Sequence, residues 1–66
     1  MEVELRILCG NKEGHCIKRY FRTNKTTDYE IEYDIREELE KYKATYEYLR
    51  IQKYDKLIIA TAYNGS

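Results

Sequence analysis

The first residues of the chain alternate between apolar and polar side chains. From Val3 to Cys9 every second residue is apolar, and Glu4 and Arg6 stand between them. A period of two predicts a β-strand with one buried face. Residues 10–14 then supply two glycines and an asparagine, which suit a tight turn. Residues 15–23 follow as a second strand, so this part of the chain is predicted to form a hairpin.

The next segment changes its period in the middle. Residues 28–35 alternate strictly between acidic and apolar side chains, which favours a third strand. From Asp34 onward the apolar residues are spaced by four, three and four, which predicts a helix with one apolar stripe. Asp34 then serves as the N-cap, with Glu37 three positions later. A competing interpretation begins the helix at Thr27, with Glu30 completing a capping box there.

The C-terminal third predicts a return to strands. The helix runs either to about Leu49, or it ends near Ala44 and residues 46–53 form a strand, because no Gly, Asn or Pro marks a stop before Lys56. Residues 57–63 predict a strand in both cases. Both faces of this last strand are apolar, so it is expected in the interior of the sheet or beneath the helix.

These elements together predict one α+β domain over residues 1–66. A single helix packs on a small antiparallel sheet of four or five strands, in the order β-β-β-α-β or β-β-β-α-β-β. A chain of 66 residues buries only about 60% of the surface that it exposes when unfolded. A deep catalytic pocket is therefore not expected.

Composition narrows the classes of function. Twelve Lys and Arg balance twelve Asp and Glu, so bulk charge does not direct the protein to nucleic acid or to a membrane surface. The longest apolar run, residues 57–60, is too short to span a bilayer, and the first residues lack the apolar core of a secretory signal. These features predict a soluble protein that acts in the cytoplasm, in the host cytoplasm if a phage encodes it.

Catalytic and metal-binding arrangements are poorly represented. The single histidine, His15, and the single serine, Ser66, cannot complete a Ser/His/Asp triad. Cys9, His15 and Cys16 surround one turn, but their spacing matches no common zinc motif. A disulfide between Cys9 and Cys16 requires an oxidising compartment. We therefore expect no enzyme activity, no cofactor and no metal.

Acidic and tyrosine side chains form the first candidate for a binding surface. Eight tyrosines are too many for so small a core, so several are expected at the surface, where tyrosine favours protein interfaces. Carboxylates beside them suit a partner with a basic groove. The residues expected to bind this protein partner are Glu30, Glu32, Asp34, Glu37, Glu40 and Tyr48.

A basic and aromatic cluster in the second strand forms an alternative candidate. Basic side chains there contact phosphates, and Tyr20 and Phe21 offer rings on which bases stack. Acidic neighbours weaken this expectation because they repel the same phosphates. The residues of this nucleic-acid alternative are Lys18, Arg19, Tyr20, Arg22 and Lys25. A structural or oligomeric subunit is a third reading, and open edge strands make a homodimer a further expectation.

The general character of the whole chain resembles the small accessory proteins of phages and mobile elements. The resemblance rests on size, on the residue usage typical of AT-rich genes and on the predicted layout, and on no shared motif. Some of these accessory proteins inhibit host defence or host enzymes by presenting acidic surfaces that imitate nucleic acid. The resemblance therefore implies an inhibitor or modulator of a host protein.

Overall fold

The computed structural model describes residues 1–8 and 16–65, and of Cys16 it describes only the backbone. Within these residues one helix and four strands form a small α+β fold, which confirms the predicted class. The elements are, in chain order, β1 (Glu2–Leu8), β2 (Cys16–Arg22), α1 (Asp28–Lys41), β3 (Tyr48–Lys53) and β4 (Leu57–Tyr63).

The sheet is mixed, whereas a purely antiparallel sheet was predicted. Its strand order is β2-β1-β4-β3, with β1 and β4 parallel in the centre and the other pairs antiparallel. The chain forms the β1–β2 hairpin, crosses the sheet through α1 to the far edge, and returns through β4 beside β1. Since α1 replaces the expected third strand, the element order is β-β-α-β-β, and the two most apolar strands become neighbours.

The hydrophobic core lies between α1 and one face of the sheet. The helix contributes Ile31, Ile35 and Leu39, all at most 4% exposed. These residues pack against alternate positions of the two central strands: Val3, Leu5, Ile7, Ile58, Ala60 and Ala62. The predicted interior position of the last strand is thus confirmed. Its buried alanines leave room for the helix to lie close to the sheet.

The helix begins seven residues earlier than the favoured prediction, with its N-cap at Thr27 instead of Asp34, and the competing interpretation is correct. Thr27 has an extended backbone (φ −91°, ψ 148°), and its hydroxyl accepts a hydrogen bond from the Glu30 amide at 3.3 Å. The same hydroxyl donates to the Glu30 carboxylate at 2.9 Å. A Thr N-cap that accepts from the amide of a Glu three residues later forms one half of a capping box, and here the Glu carboxylate returns to the Thr hydroxyl and not to its amide. Asp34 is therefore not an N-cap and lies inside the helix.

The strict alternation of residues 28–35 gave a wrong prediction because it counted tyrosines as core residues. In the helix Ile31 and Ile35 stand one turn apart on the buried face, while Tyr29 and Tyr33 are 77% and 62% exposed. Ile31 and Ile35 fit both patterns, the helical spacing of four and the strand spacing of two. The two patterns differ only in the tyrosines, which a strand would bury together with the isoleucines and which this helix exposes.

The helix ends at Lys41, without the glycine that usually marks such an end. The Lys43 amide donates to the Glu40 carbonyl at 2.9 Å, and the Ala44 amide donates to the Leu39 carbonyl at 3.2 Å. This pair of bonds is a Schellman motif, with Lys43 at the left-handed position (φ 53°). The alternative that ended the helix near Ala44 and placed a strand within residues 46–53 is confirmed.

Replacing Lys43 with glycine is expected to stabilise the protein by about 0.5–1 kcal/mol, because glycine adopts positive φ without the steric cost of a Cβ atom. Urea denaturation followed by circular dichroism measures the change. Lys41→Gly is the matched control, because Lys41 lies in the last helical turn and glycine there should destabilise by a similar amount. Equal effects at both positions would contradict this account of the helix end.

Several sequence-based predictions lie outside the described residues. These are the turn at residues 10–14, the positions of Cys9 and His15, and hence any disulfide or metal site that involves them. For Cys16 only the backbone pairing with Leu8 is described.

Candidate binding surfaces

Charge is segregated between the helix and the rest of the protein. The helix Asp28–Lys41 holds seven acidic and two basic residues. Since the whole chain has twelve of each, the remaining residues hold five acidic and ten basic side chains. The helix covers only one face of the sheet, so the two faces of the molecule differ in charge. Each is a candidate site for a partner of the opposite charge.

The acidic helix face is the outward side of α1 and comprises Tyr29, Glu30, Tyr33, Glu37 and Glu40, which are all exposed. Their spacing of three, four and seven residues places them together, opposite the buried stripe. Part of this face forms a groove of about 310 Å³, whose lining also includes Lys25 and Asp34. The groove combines two tyrosine rings with carboxylates.

Two further predicted residues lie at the flanks of the acidic helix face. Asp34 accepts a hydrogen bond from the hydroxyl of Thr23 at 2.8 Å, and Thr23 is only 4% exposed. Asp34 therefore ties the helix to the end of β2. On the other flank Glu32 accepts from Arg36 at 2.9 Å, and this hydrogen bond raises the pKa of the Arg36 guanidinium. Glu32 is therefore already engaged with a cation of its own helix.

Tyr48, the last residue predicted for the protein-binding surface, lies on the other side of the molecule. It pairs with Tyr63 in the β3–β4 ladder. Leu49 and Ile51, which occupy the positions of β3 on the opposite face, pack against the core. Since side chains alternate along a strand, Tyr48 points away from the helix. The predicted set is thus divided between two faces, and only Glu30, Glu37 and Glu40 belong to the outward side of α1.

The open sheet face is the side of the sheet that the helix leaves uncovered. Residues paired across strands share a face, so the registers assign its members. They are Lys18, Tyr20 and Arg22 of β2, Glu2, Glu4, Arg6 and Leu8 of β1, Leu57, Ile59, Thr61 and Tyr63 of β4, and Tyr48, Arg50 and Gln52 of β3.

A row of basic side chains crosses the open sheet face. Lys18 pairs with Arg6, Arg6 with Thr61, and Thr61 with Arg50, so three of the four strands contribute a cation to one line. Glu4 lies beside this row but is only 8% exposed, and its carboxylate accepts a hydrogen bond from Arg6. The acid nearest the row is therefore largely buried and partly neutralised.

Tyrosine rings stand on both sides of this basic row. Tyr20 is 59% exposed on β2. Across the sheet Tyr48 and Tyr63 stack with their ring centroids 5.4 Å apart, and the Arg50 guanidinium lies 5.8 Å from the centroid of Tyr63. A Cβ atom on Gly65 would approach the Tyr48 ring to 2.3 Å, so the chain after β4 lies against this ring.

The nucleic-acid alternative is also divided by the structure. Lys18, Tyr20 and Arg22 share the open sheet face, but Arg19 alternates to the helix side and lies 5.4 Å from the ring centroid of Tyr42. Lys25 lies beyond β2 and lines the groove on the helix. Arg19 and Lys25 therefore do not belong to one surface with the other three.

Arg6, Arg50 and Tyr63 are candidate residues that sequence reasoning missed. Arg6 lies in a strand whose period of two was visible, so it could be assigned to the face opposite the core. Both faces of the strand that contains Tyr63 are apolar, so the sequence did not assign Tyr63 to a face. Their neighbours across the sheet depend on the parallel pairing of β1 with β4. That pairing had no signal in the sequence.

Among the side chains of residues 1–8 and 17–65, no group of three or more metal-ligating residues occurs, and no buried polar atom lacks a hydrogen-bond partner. Across the same residues, α1 is too short and too polar to cross a membrane. No protein-family model matches the chain, and neither does any curated protein or solved structure.

Proposed function

We propose that this protein is a small non-enzymatic protein-binding module that inhibits or modulates a host protein through its acidic helix face. The observation that carries the proposal is the exposure of Tyr29 and Tyr33 beside the carboxylates of Glu30 and Glu37 in one groove. Tyrosine brings a large contact area at a low cost in side-chain entropy, and it is enriched at protein interfaces.

The charge of this face defines the chemistry of the partner. Of the seven acidic residues on this helix, Glu32 and Glu38 pair with Arg36 and Lys41. The others repel each other, and the helix dipole favours them only near the N-terminus. A partner surface rich in Lys and Arg, with an apolar recess for a tyrosine ring, would relieve the repulsion and bury the rings. The acidic helix face thus favours a partner that itself binds polyanions, such as a nucleic-acid-processing or defence protein of the host. The proposal places this binding in the cytoplasm.

The test is capture of a partner from nuclease-treated lysate of the native host by immobilised protein, followed by titration of the purified partner. The double variant Glu37→Lys/Glu40→Lys should weaken that complex at least tenfold, because buried interfacial charges that are reversed cost several kcal/mol. Tyr33→Ala should weaken it by a similar factor if the ring fills a recess. Among the described residues, the side chains of Glu37 and Glu40 form no hydrogen bond and no ion pair, so their reversal leaves the contacts of the fold in place.

The control is Asp55→Lys, which reverses an exposed acid in the turn between β3 and β4, outside the acidic helix face. It should leave the complex intact. Equal affinity of the partner for the wild type and for Glu37→Lys/Glu40→Lys, with unchanged thermal unfolding, would refute the proposal. Light scattering on the same samples measures the molecular mass and tests the predicted homodimer.

A further inference from the structure

We infer that the open sheet face binds single-stranded nucleic acid, a second function that is independent of the acidic helix face. The charge of this face and the positions of its tyrosine rings indicate this ligand. Four basic residues, Arg6, Lys18, Arg22 and Arg50, lie on this face with two acids, of which Glu4 is 8% exposed. Phosphate groups are the ligands that such a basic surface attracts.

The basic row brings two cations into neighbouring positions. Lys18 and Arg6 stand directly opposite each other on adjacent strands, and like charges in that relation destabilise a sheet. The ion pair of Arg6 with Glu4 offsets part of this repulsion, and an anion bound along the row would offset more of it. The row extends roughly 14 Å from Lys18 to Arg50, since neighbouring strands lie about 4.8 Å apart.

The rings distinguish single strands from a duplex. Tyr20 lies two residues along β2 from Lys18, and Tyr48 lies two residues along β3 from Arg50, so an exposed ring flanks each end of the basic row. Unpaired bases stack on such rings, whereas the bases of a duplex are stacked on each other and present only their edges. A backbone that follows the row can place bases on both tyrosines.

The acidic residues that were expected beside the second strand belong instead to α1. Residues 28–35 do not form a strand beside β2, so their carboxylates do not border the basic row. Glu30 lies on the far side of a helix that is about 10 Å thick, which exceeds the screening length of about 8 Å at physiological salt. The carboxylates of Asp28, Glu32 and Asp34 lie nearer the sheet, but they are engaged by Lys53, Arg36 and Thr23.

The test is a fluorescence-anisotropy titration of the full chain with labelled single-stranded and duplex oligonucleotides of about ten nucleotides. Binding to the single strand should weaken with salt between about 50 and 200 mM, with a slope of about −2 to −3 in log K against log salt for three to four phosphate contacts. Lys18→Glu/Arg50→Glu should lower the affinity at least tenfold. Lys25→Glu/Lys43→Glu, which has the same net charge but leaves the open sheet face unchanged, should not.

Stacking is tested separately. Tyr20→Ala and Tyr48→Ala should each lower the affinity about fivefold to a hundredfold, and Tyr20→Phe and Tyr48→Phe should restore it, because phenylalanine keeps the ring. Absence of binding at low salt, equal losses in the two charge variants, or equal affinity for the duplex with no effect of the tyrosines would each overturn the inference. None of these results depends on the acidic helix face, which Glu37→Lys/Glu40→Lys tests independently.

Discussion

Replacing Ile35 with alanine is expected to lower the free energy of unfolding by about 2–5 kcal/mol. Ile35 is fully buried at the centre of the helix stripe, between Ile31 and Leu39. Removing its outer carbons loses the free energy gained by burying them. It also leaves a cavity, because the helix and the sheet can move together only partly to fill it. A chain of 66 residues has a total stability of roughly 3–10 kcal/mol, so the variant should lose about half of it.

Urea denaturation of Ile35→Ala and Ile17→Ala measures this effect with a matched control. Ile17 undergoes the same loss of atoms, but it is 37% exposed on the edge strand β2. Its replacement should cost less than about 1 kcal/mol. Similar losses in the two variants would mean that the Ile35 face of α1 is not the face that packs on the sheet.

Replacing Glu37 with proline is expected to cost about 3 kcal/mol or more, because proline in a helix interior removes a backbone hydrogen bond and collides with the preceding turn. Glu37 is exposed, so the loss comes from the backbone and not from the core. The substitution separates the two interpretations of residues 28–41. In a helix that began at Asp34, Glu37 would lie in the first turn, where amides have no helical partner and proline is tolerated.

Asp28→Pro is the control for this prediction. Asp28 is the first helical residue, and Thr27 before it already has the extended backbone that a following proline requires. The variant loses the exposed ion pair between Asp28 and Lys53, which is worth about 0–1 kcal/mol. Circular dichroism and urea denaturation should therefore show a near-native protein. Retention of native stability by Glu37→Pro would contradict the helix from Asp28 to Lys41.

Local patterns gave correct predictions where the apolar side chains of a strand had to be buried. The alternation of Val3, Leu5 and Ile7 predicted β1, and the apolar residues 57–63 predicted an interior strand, since only one arrangement hides those side chains. The pattern failed at residues 28–35, because tyrosine is apolar enough to belong to a core and polar enough to lie at a surface. The end of the helix was uncertain because Lys43 occupies the left-handed position at which a glycine usually marks a helix end.

The candidate surfaces were predicted in part. The sequence indicated that acids and tyrosines reach the surface, and Glu30, Glu37 and Glu40 do share the outward side of α1. It did not indicate that Tyr48 faces the other way, nor that Arg6 and Arg50 join Lys18 in one row. Those relations join strands that are distant in the chain, and no local pattern encodes their register.

The amino-acid sequence by itself determined the α+β class, the single helix and the surplus of tyrosines over what a small core can bury. Of the apolar stripe predicted from Asp34 onward, only Ile35 and Leu39 are buried, because Tyr42 is 41% exposed and Tyr46 lies beyond the helix. Periodicity and composition are properties of neighbouring residues, so they can be read along the chain. Only the tertiary structure decided that seven acids lie on the helix while Arg6, Lys18, Arg22 and Arg50 share the uncovered face of the sheet. That separation arises because the helix covers one face alone, and the parallel pairing of β1 with β4 brings cations from three strands into one row.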